Sequence, residues 1–317
     1  MPRLVSNSLS KRLLLTTLAS VLVTTLLLTA MVEWLVLQHN RSLLLEHQKS
    51  YTNLVARRID HGLEVRTRTL KGLAGLLNDG EQLLPLDAMQ AVLDSRLQLH
   101  EHFNNGLLVL SKEGVLSVDS PVLKGRVGID LRDREHYRHV LRTQQPYISK
   151  PLIGRGVNSP VFLISVPILN RRNQLLGMTL GSTRLAEDNL LTDISLQTIG
   201  DEGELWVLDL ESDLVVTSSK REYVMGHISQ LGFNTLPNRL KQKEWQGQVT
   251  NGGGKSLLYT ATPLQQTGWV VVHTFPAAMV LEPVKALLLQ VVMAVTAMLF
   301  VVALLAYWLI KRQLRDL

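Results

Sequence analysis

Cysteine is absent from the 317-residue chain. Its absence rules out a disulfide framework and suits an oxidising compartment, where no stray thiol remains to mispair. Two catalytic signatures are missing as well: there is no His-Glu-x-x-His run and no nucleophile elbow. A membrane-anchored extracytoplasmic enzyme, or a structural protein, therefore stands only as the reading from another class, with nothing positive in its favour. Proline does not occur between Leu35 and Leu77, and glycine occurs there only at Gly62, Gly72 and Gly75, so the usual helix breakers are scarce. Blocks of one-sign charge are also missing. The net charge is +6, but much of the excess flanks two apolar runs and the remaining Lys and Arg are interspersed with Asp and Glu. That is a solvated surface, and no nucleic-acid partner is expected. Aromatic residues make up only 5% of the chain although hydrophobic residues reach 46%.

The hydrophobic content is concentrated in two runs. Leu13–Val32 has 20 residues without a charge, and Ala286–Ile310 has 25. A helix rises about 1.5 Å per residue and a bilayer core is about 30 Å thick, so each run is long enough to span. A cleaved signal peptide fits the first run poorly, because its apolar stretch exceeds the usual about 7–15 residues and no Ala-x-Ala-like site follows. Arg3, Lys11 and Arg12 precede the first run, and Lys311, Arg312 and Arg315 follow the second. The flanks on the other side are mixed, with Glu33, Arg41 and Glu46 at one end and Glu282 and Lys285 at the other. By the positive-inside rule both termini are expected in the cytoplasm, with Tyr307 and Trp308 in the inner aromatic belt. The expected location is a bacterial inner membrane, with the intervening segment in the periplasm.

Within that segment, apolar residues recur at helical spacing from Leu35 to about Leu77, and NDGEQ (78–82) ends the pattern. LDAMQAVLDSRLQLHEHF, after Pro85, reads as a second, shorter helix. The period then changes. LLVLSKEGVLSVDS from Leu107 reads as two strands around a Lys-Glu-Gly turn, and VFLISVPILNRRNQLLGMTLGS as another pair around Asn170–Asn173. LWVLDLESDLVVTSS and SLLYTATPLQQTGWVVVHTF echo these pairs. The first echo begins 98 residues on, Leu107 to Leu205, and Pro167 and Pro263 lie 96 apart. Two copies imply two similar antiparallel-sheet lobes in tandem, joined by a helix around LAEDNLLTDISLQTI. NGGGKS (251–256) is similar to the end of a phosphate loop. Val249 stands where that loop needs Gly and a strand follows, so it reads as a hairpin turn.

The fold class expected is α+β: two transmembrane helices flanking a long helix and two PAS-like lobes. In chain order this gives a cytoplasmic tail (1–12), a first span (13–37), the long and second helices (38–103), a membrane-distal lobe (104–184), a connecting helix (185–203), a membrane-proximal lobe (204–284), a second span (285–310) and a cytoplasmic stub (311–317). GIDLRDREHYRHVLRTQQPYISKPLIGR, SVPILNRRNQLLGMTLGS, GDEGELWVLDLESDLVVTSS and GWVVVHTFPAAMVLEPV occur in that order between Gly128 and Val284. Together they resemble the double Cache sensor domain of bacterial transmembrane receptors, most of all those of membrane-bound diguanylate cyclases.

The resemblance implies a small-molecule ligand in the distal lobe. At helical spacing Arg134 shares a stripe with Tyr137, Arg138 and Leu141, at the edge of an inward-facing patch. A guanidinium there is costly unless an anion meets it, and its fork suits a carboxylate. Arg134 and Tyr137 match the family's Arg-x-x-Tyr element; pairing of Arg134 with Asp119, Asp130 or another internal carboxylate, which would merely lock the loop, is the other reading. Tyr147, Arg155, Ser165 and Ser182 are further candidates, although Tyr147 and Ser165 suit an ordinary strand equally well. Amino-acid-sensing members resemble Arg-x-Trp-Tyr with a later Tyr and an Asp for the ligand ammonium. Here those places hold His136, Leu152 and Thr183. The expected ligand is therefore a small organic anion and not an α-amino acid. His136, His139, His100 and His102 do not offer three or four converging ligands, so solvated histidines are expected, with no metal and no cofactor. A homodimer is expected through the apolar stripe of the long helix. No catalytic output module is expected within these 317 residues, of which seven follow the second run. A cyclic-di-GMP output, in a longer form or a partner, is the first expectation, and a histidine kinase or chemoreceptor output the alternative.

Overall fold

In the computed structural model the described residues are 3–192, 203–233, 235–278, 289–298, 300–302, 304–305 and 308. The chain divides into two units, Met1–Glu46 with Ala277–Leu317, and His47–Pro276. In the first unit Leu26, Leu27, Leu28, Met31, Leu289, Phe300 and Leu305 all lie exposed. Among the described residues no helix is long and apolar enough to cross a membrane. Nine of the 25 residues of the second apolar run, and the terminal stub, 311–317, lie outside the described residues.

The first helix, α1, runs unbroken over Arg3–Leu76, where the sequence suggested a separate tail, span and signalling helix. Its continuity follows from the missing breakers. From residue 52 onward Thr52, Val55, Ala56, Ile59, Leu63, Leu70, Leu73, Ala74 and Leu77 are buried, at three- and four-residue spacing. The helix ends where Asn78 and Asp79 turn their side chains onto the amides of Gly80, Glu81 and Gln82. The expected second helix is two, α2 (Leu86–Asp94) and α3 (Leu97–His102). Helical geometry is lost at Arg96 (φ −100°, ψ 57°), which turns Leu99 and Phe103 onto the first sheet. There the Phe103 ring lies over Gly181, where a Cβ would come within 2.3 Å of it.

The distal lobe contains β1 (Gly106–Ser111), β2 (Leu116–Ser120), α4 (Glu135–Thr143), β3 (Tyr147–Ile148), β4 (Leu152–Ile153), β5 (Pro160–Leu169) and β6 (Leu175–Arg184). The proximal lobe contains β7 (Glu204–Asp209), β8 (Leu214–Ser218), α5 (Leu236–Lys241), β9 (Gln246–Thr250), β10 (Ser256–Pro263) and β11 (Val270–Pro276). The sheet orders are β2-β1-β6-β5-β3, with β4 also on β5, and β8-β7-β11-β10-β9. The second order repeats the first, strand for strand, and the strand pairs among the described residues are antiparallel. Both first hairpins slip register at the same place, Val109/Leu110 and Val207/Leu208. NGGGKS forms the β9–β10 turn, with Gly254 at φ +76°. Of the connecting helix only the start is described: Asn189 accepts the Leu191 amide (2.8 Å), and 193–202 lie outside the described residues.

Strand alternation gives each sheet two apolar faces. One face of both sheets packs on α1 in a common core, with Leu107, Val109, Phe162 and Ile164 from one lobe and Leu205, Val207 and Val271 from the other. The opposite faces form separate cores, Leu108, Leu110, Leu163 and Leu180 in the distal lobe and Trp206, Tyr259 and Val272 in the proximal.

Candidate functional site

The face of the distal sheet turned away from α1 is only partly filled. α4 and the loops before and after it stand over Leu108, Leu163 and Leu180, leaving a small recess of about 30 Å³. Arg126, Arg134, His136, Arg155, Asn105 and Ser182 supply its polar lining, and among the described residues no carboxylate lines it.

The buried guanidinium is Arg126, 3% exposed. Its Nη1 donates to the Asn105 carbonyl (3.1 Å) and pairs with Asp119 Oδ1 (3.2 Å). Asp119 is 0% exposed, and its Oδ2 accepts the Leu123 amide (2.9 Å). Burial pushes the Asp119 carboxyl up, opposed by the Leu123 amide and Arg126; burial pushes Arg126 down, opposed by Asp119. The pair meets through this one contact, and Asp119 Oδ1 has no hydrogen-bond partner, so each buried charge depends on the other for its compensation.

Arg134 does not sit on a helical stripe. It is the residue before α4, in extended conformation (φ −76°, ψ 139°), half-buried at the recess. Its Nη2 donates to the Ile153 carbonyl at 3.3 Å. Neither proposed carboxylate takes it, since Asp119 holds Arg126 and Asp130 holds Arg132 at 2.6 Å. Arg155 also lines the recess but is clamped by both oxygens of Asp133 (2.8 and 2.6 Å) and by the Asp130 carbonyl (2.7 Å).

His136 overturns the expectation of solvated histidines. It is 1% exposed, lines the recess, and neither ring nitrogen has a hydrogen-bond partner. Burial, then the Arg134 charge, pushes its pKa down to about 4, so the ring is neutral near pH 7. A buried, unpartnered polar group costs about 1–3 kcal/mol, and such cost marks a position kept for something other than stability.

Three of the expected ligand residues, Arg134, Arg155 and Ser182, line the recess. Four do not. Tyr137 packs in the core under Gly114 and donates its hydroxyl to the Lys112 carbonyl (2.7 Å). Tyr147 stacks on His139, 4.3 Å between ring centres, and faces a different cleft with Glu135, Lys150 and Glu211; burial, with Glu135 beside it, pushes its hydroxyl up. Ser165 is buried opposite Tyr147 in the β3–β5 ladder. Thr183 pairs with Phe162, so it points to the α1 side, whereas Ser182 pairs with Leu163 and points into the recess. Ser182 Oγ accepts from Asn105 Nδ2 at 2.7 Å. The sequence reading missed Arg126, Asn105 and the burial of His136. Only His136 carried a signal, as the residue in the place of a family Trp.

The proximal lobe shows what the same geometry looks like when filled. Leu108 faces Leu180 as Trp206 faces Val272, and Leu163 faces Ser182 as Tyr259 faces Thr274. Two aliphatic wall positions thus become aromatic. The Trp206 indole donates to Thr274 Oγ1 (3.2 Å) and packs against Tyr223 and Phe233, while Tyr259 donates to the Glu244 carbonyl (3.0 Å).

The Cache domain family, in its double form, matches residues 36–284, and the chain belongs to that family. No curated protein sequence matches it. Among solved structures, the ligand-binding domain of the Pseudomonas fluorescens chemoreceptor CtaA in complex with L-isoleucine has a TM-score of 0.62 at 16% identity, covering 77% of this chain and 97% of that one. The amino-acid chemoreceptor domain PctB of Pseudomonas aeruginosa, in complex with L-Gln, gives 0.60 at 16%, with 74% and 92% covered. An extracellular ligand binding receptor from Desulfohalobium retbaense gives 0.57 at 15%; the match covers 71% of this chain but only 39% of that chain's length. These likenesses share the fold. The chain is thus a Cache sensor domain, a two-lobed ligand-binding architecture.

Proposed function

We propose that the chain is the sensor region of a bacterial transmembrane receptor and binds a small organic anion in the distal lobe. The observation that carries this reading is Arg134 at the recess, which among the described residues has no ion pair and donates to the Ile153 carbonyl. An α-amino acid brings an ammonium for which the lining offers no counter-charge. The Pseudomonas structures are complexes with amino acids; this chain has Thr183 where the resemblance expects the ammonium-binding Asp, and Ser182 at the neighbouring recess-facing position. Arg134→Gln is expected to weaken binding of a responsive carboxylate about 10–100-fold, the worth of a charge-assisted hydrogen bond. Unfolding stability should shift by no more than about 0.5 kcal/mol, because among the described residues Arg134 pairs with no charge. Calorimetric titration with a carboxylate panel checks both, and tight binding of a free amino acid by the unaltered protein contradicts the reading.

The membrane placement rests on Leu13–Val32 and Ala286–Ile310, whose described large apolar side chains, such as Leu26 and Leu305, are mostly exposed with no protein covering them. Positive flanks put the termini in the cytoplasm and the lobes in the periplasm. For the output, CtaA and PctB are chemoreceptors, which favours that output over cyclic-di-GMP synthesis. A homodimer along α1 fits the exposed Leu43 and Leu54. Single-cysteine variants at Leu43–Leu63, clean in a chain without cysteine, are expected to crosslink in membranes with a helical period; uniform absence of crosslinks removes the dimer.

A further inference from the structure

The charges around the recess nearly cancel. Arg126 is matched by Asp119, Arg132 by Asp130 and Arg155 by Asp133. Arg134 alone among the lining cations has no ion pair among the described residues, its Nη2 donating to a carbonyl. The recess therefore balances one negative charge and not two.

The second unmet demand is His136. Its ring offers one N–H donor and one bare nitrogen acceptor, and neither is used. The other polar linings are occupied: Asn105 Nδ2 donates to Ser182, its Oδ1 accepts from Arg184 Nε (3.0 Å), and its carbonyl accepts from Arg126. A hydroxyl both donates and accepts, so it satisfies the imidazole in either tautomer. An ammonium only donates and adds a charge, and a second carboxylate only accepts and adds the opposite one.

Resting on the anion reading above, we infer that the recess selects a short hydroxy-monocarboxylate, Arg134 taking the carboxylate and His136 the hydroxyl. His136 is thereby the specificity-determining residue. It sits in the turn directly after Arg134, so one rigid helix start presents both groups.

The test is calorimetric titration of the purified full chain with matched pairs: glycolate and acetate, lactate and propanoate, 3-hydroxybutyrate and butyrate, with L-alanine and malonate beside them. At least one hydroxy acid is expected to bind tenfold or more tighter than its deoxy partner. H136L should abolish that gap while leaving the affinity of the deoxy partner within about threefold, and R134Q should weaken both members alike. A second readout needs no variant: the nitrogen-15 resonances of the His136 ring are expected to shift with the hydroxy acid and not with its deoxy partner. If the deoxy acids bind as tightly as the hydroxy acids, the role of His136 is wrong although an anion site stands. If L-alanine binds tightest, or no carboxylate of the set binds, the anion reading itself is overturned.

Discussion

Arg126→Met is expected to lower the unfolding free energy by about 3–5 kcal/mol, the usual cost of removing one partner from a buried ion pair. The damage comes from what is left behind. Asp119 is fully enclosed, and without Arg126 its charge keeps only the Leu123 amide. It can then shed the charge only by taking up a proton, so its folded pKa, already pushed up by burial, rises further. A carboxyl whose folded pKa lies above its unfolded value favours the fold at low pH and loses that contribution as pH rises through the folded pKa. The deficit of the variant should therefore be smaller at pH 5 than at pH 8. Replacing both partners, Arg126→Met with Asp119→Leu, should recover most of the loss, since apolar residues of similar size often substitute for a buried pair without cost. Urea unfolding of the three proteins at two pH values measures this. A single variant within 1 kcal/mol of the parent at pH 8, by the same threshold of principle, would mean the pair carries no such burden.

The repeat was legible because strands carry their period in sequence. The 96-residue spacing of Pro167 and Pro263 corresponds to equivalent ladder positions, opposite Met178 and Val270 at the same stage of β5–β6 and β10–β11. The ends of elements were harder. The break at Arg96 follows from how α3 docks on the sheet and leaves no Pro or Gly in the sequence to mark it. The strands β3 and β4 are two residues each, too short to show an alternation, and pair with β5. Site residues split along the same line. Thr183 and Ser182 differ by one step on a strand, which is enough to send one to the α1 core and the other to the recess. Arg126 lies in an aperiodic loop between Gly125 and Gly128, and only tertiary contact shows that its guanidinium is enclosed while that of Arg134 is at the edge.

Acidification from pH 7 to pH 4 is expected to cost the fold several kcal/mol through two histidines. His136 and His273 both have pKa values pushed down to about 4 by burial, from an unfolded value of 6.5. His273 lies between the Tyr51 ring, edge-on at 5.3 Å, and Phe275, with its Nδ1 unpartnered. Between about pH 6.5 and 4 the unfolded chain binds these protons and the folded chain does not, so stability falls as pH falls through that window. Each shift corresponds to at most about 3 kcal/mol at 1.36 kcal/mol per unit. Asp119, raised by burial, works in the opposite direction and recovers part of the loss. Asp133, held low by Arg155, and Asp130, held at about 2 by Arg132, add their own loss only once the pH falls below the ordinary carboxylate range. H136L and H273L should each flatten the curve between pH 6.5 and 4 and leave it nearly parallel to the parent above pH 7. Urea midpoints at pH 7, 6, 5 and 4.5 separate the two contributions, and a parent protein equally stable at pH 7 and pH 5 would show that one or both rings are reached by water or a proton-accepting partner. The two variants also part company at the ligand: H136L should change what the recess binds, while H273L, on the α1 face of the other lobe, should leave binding untouched.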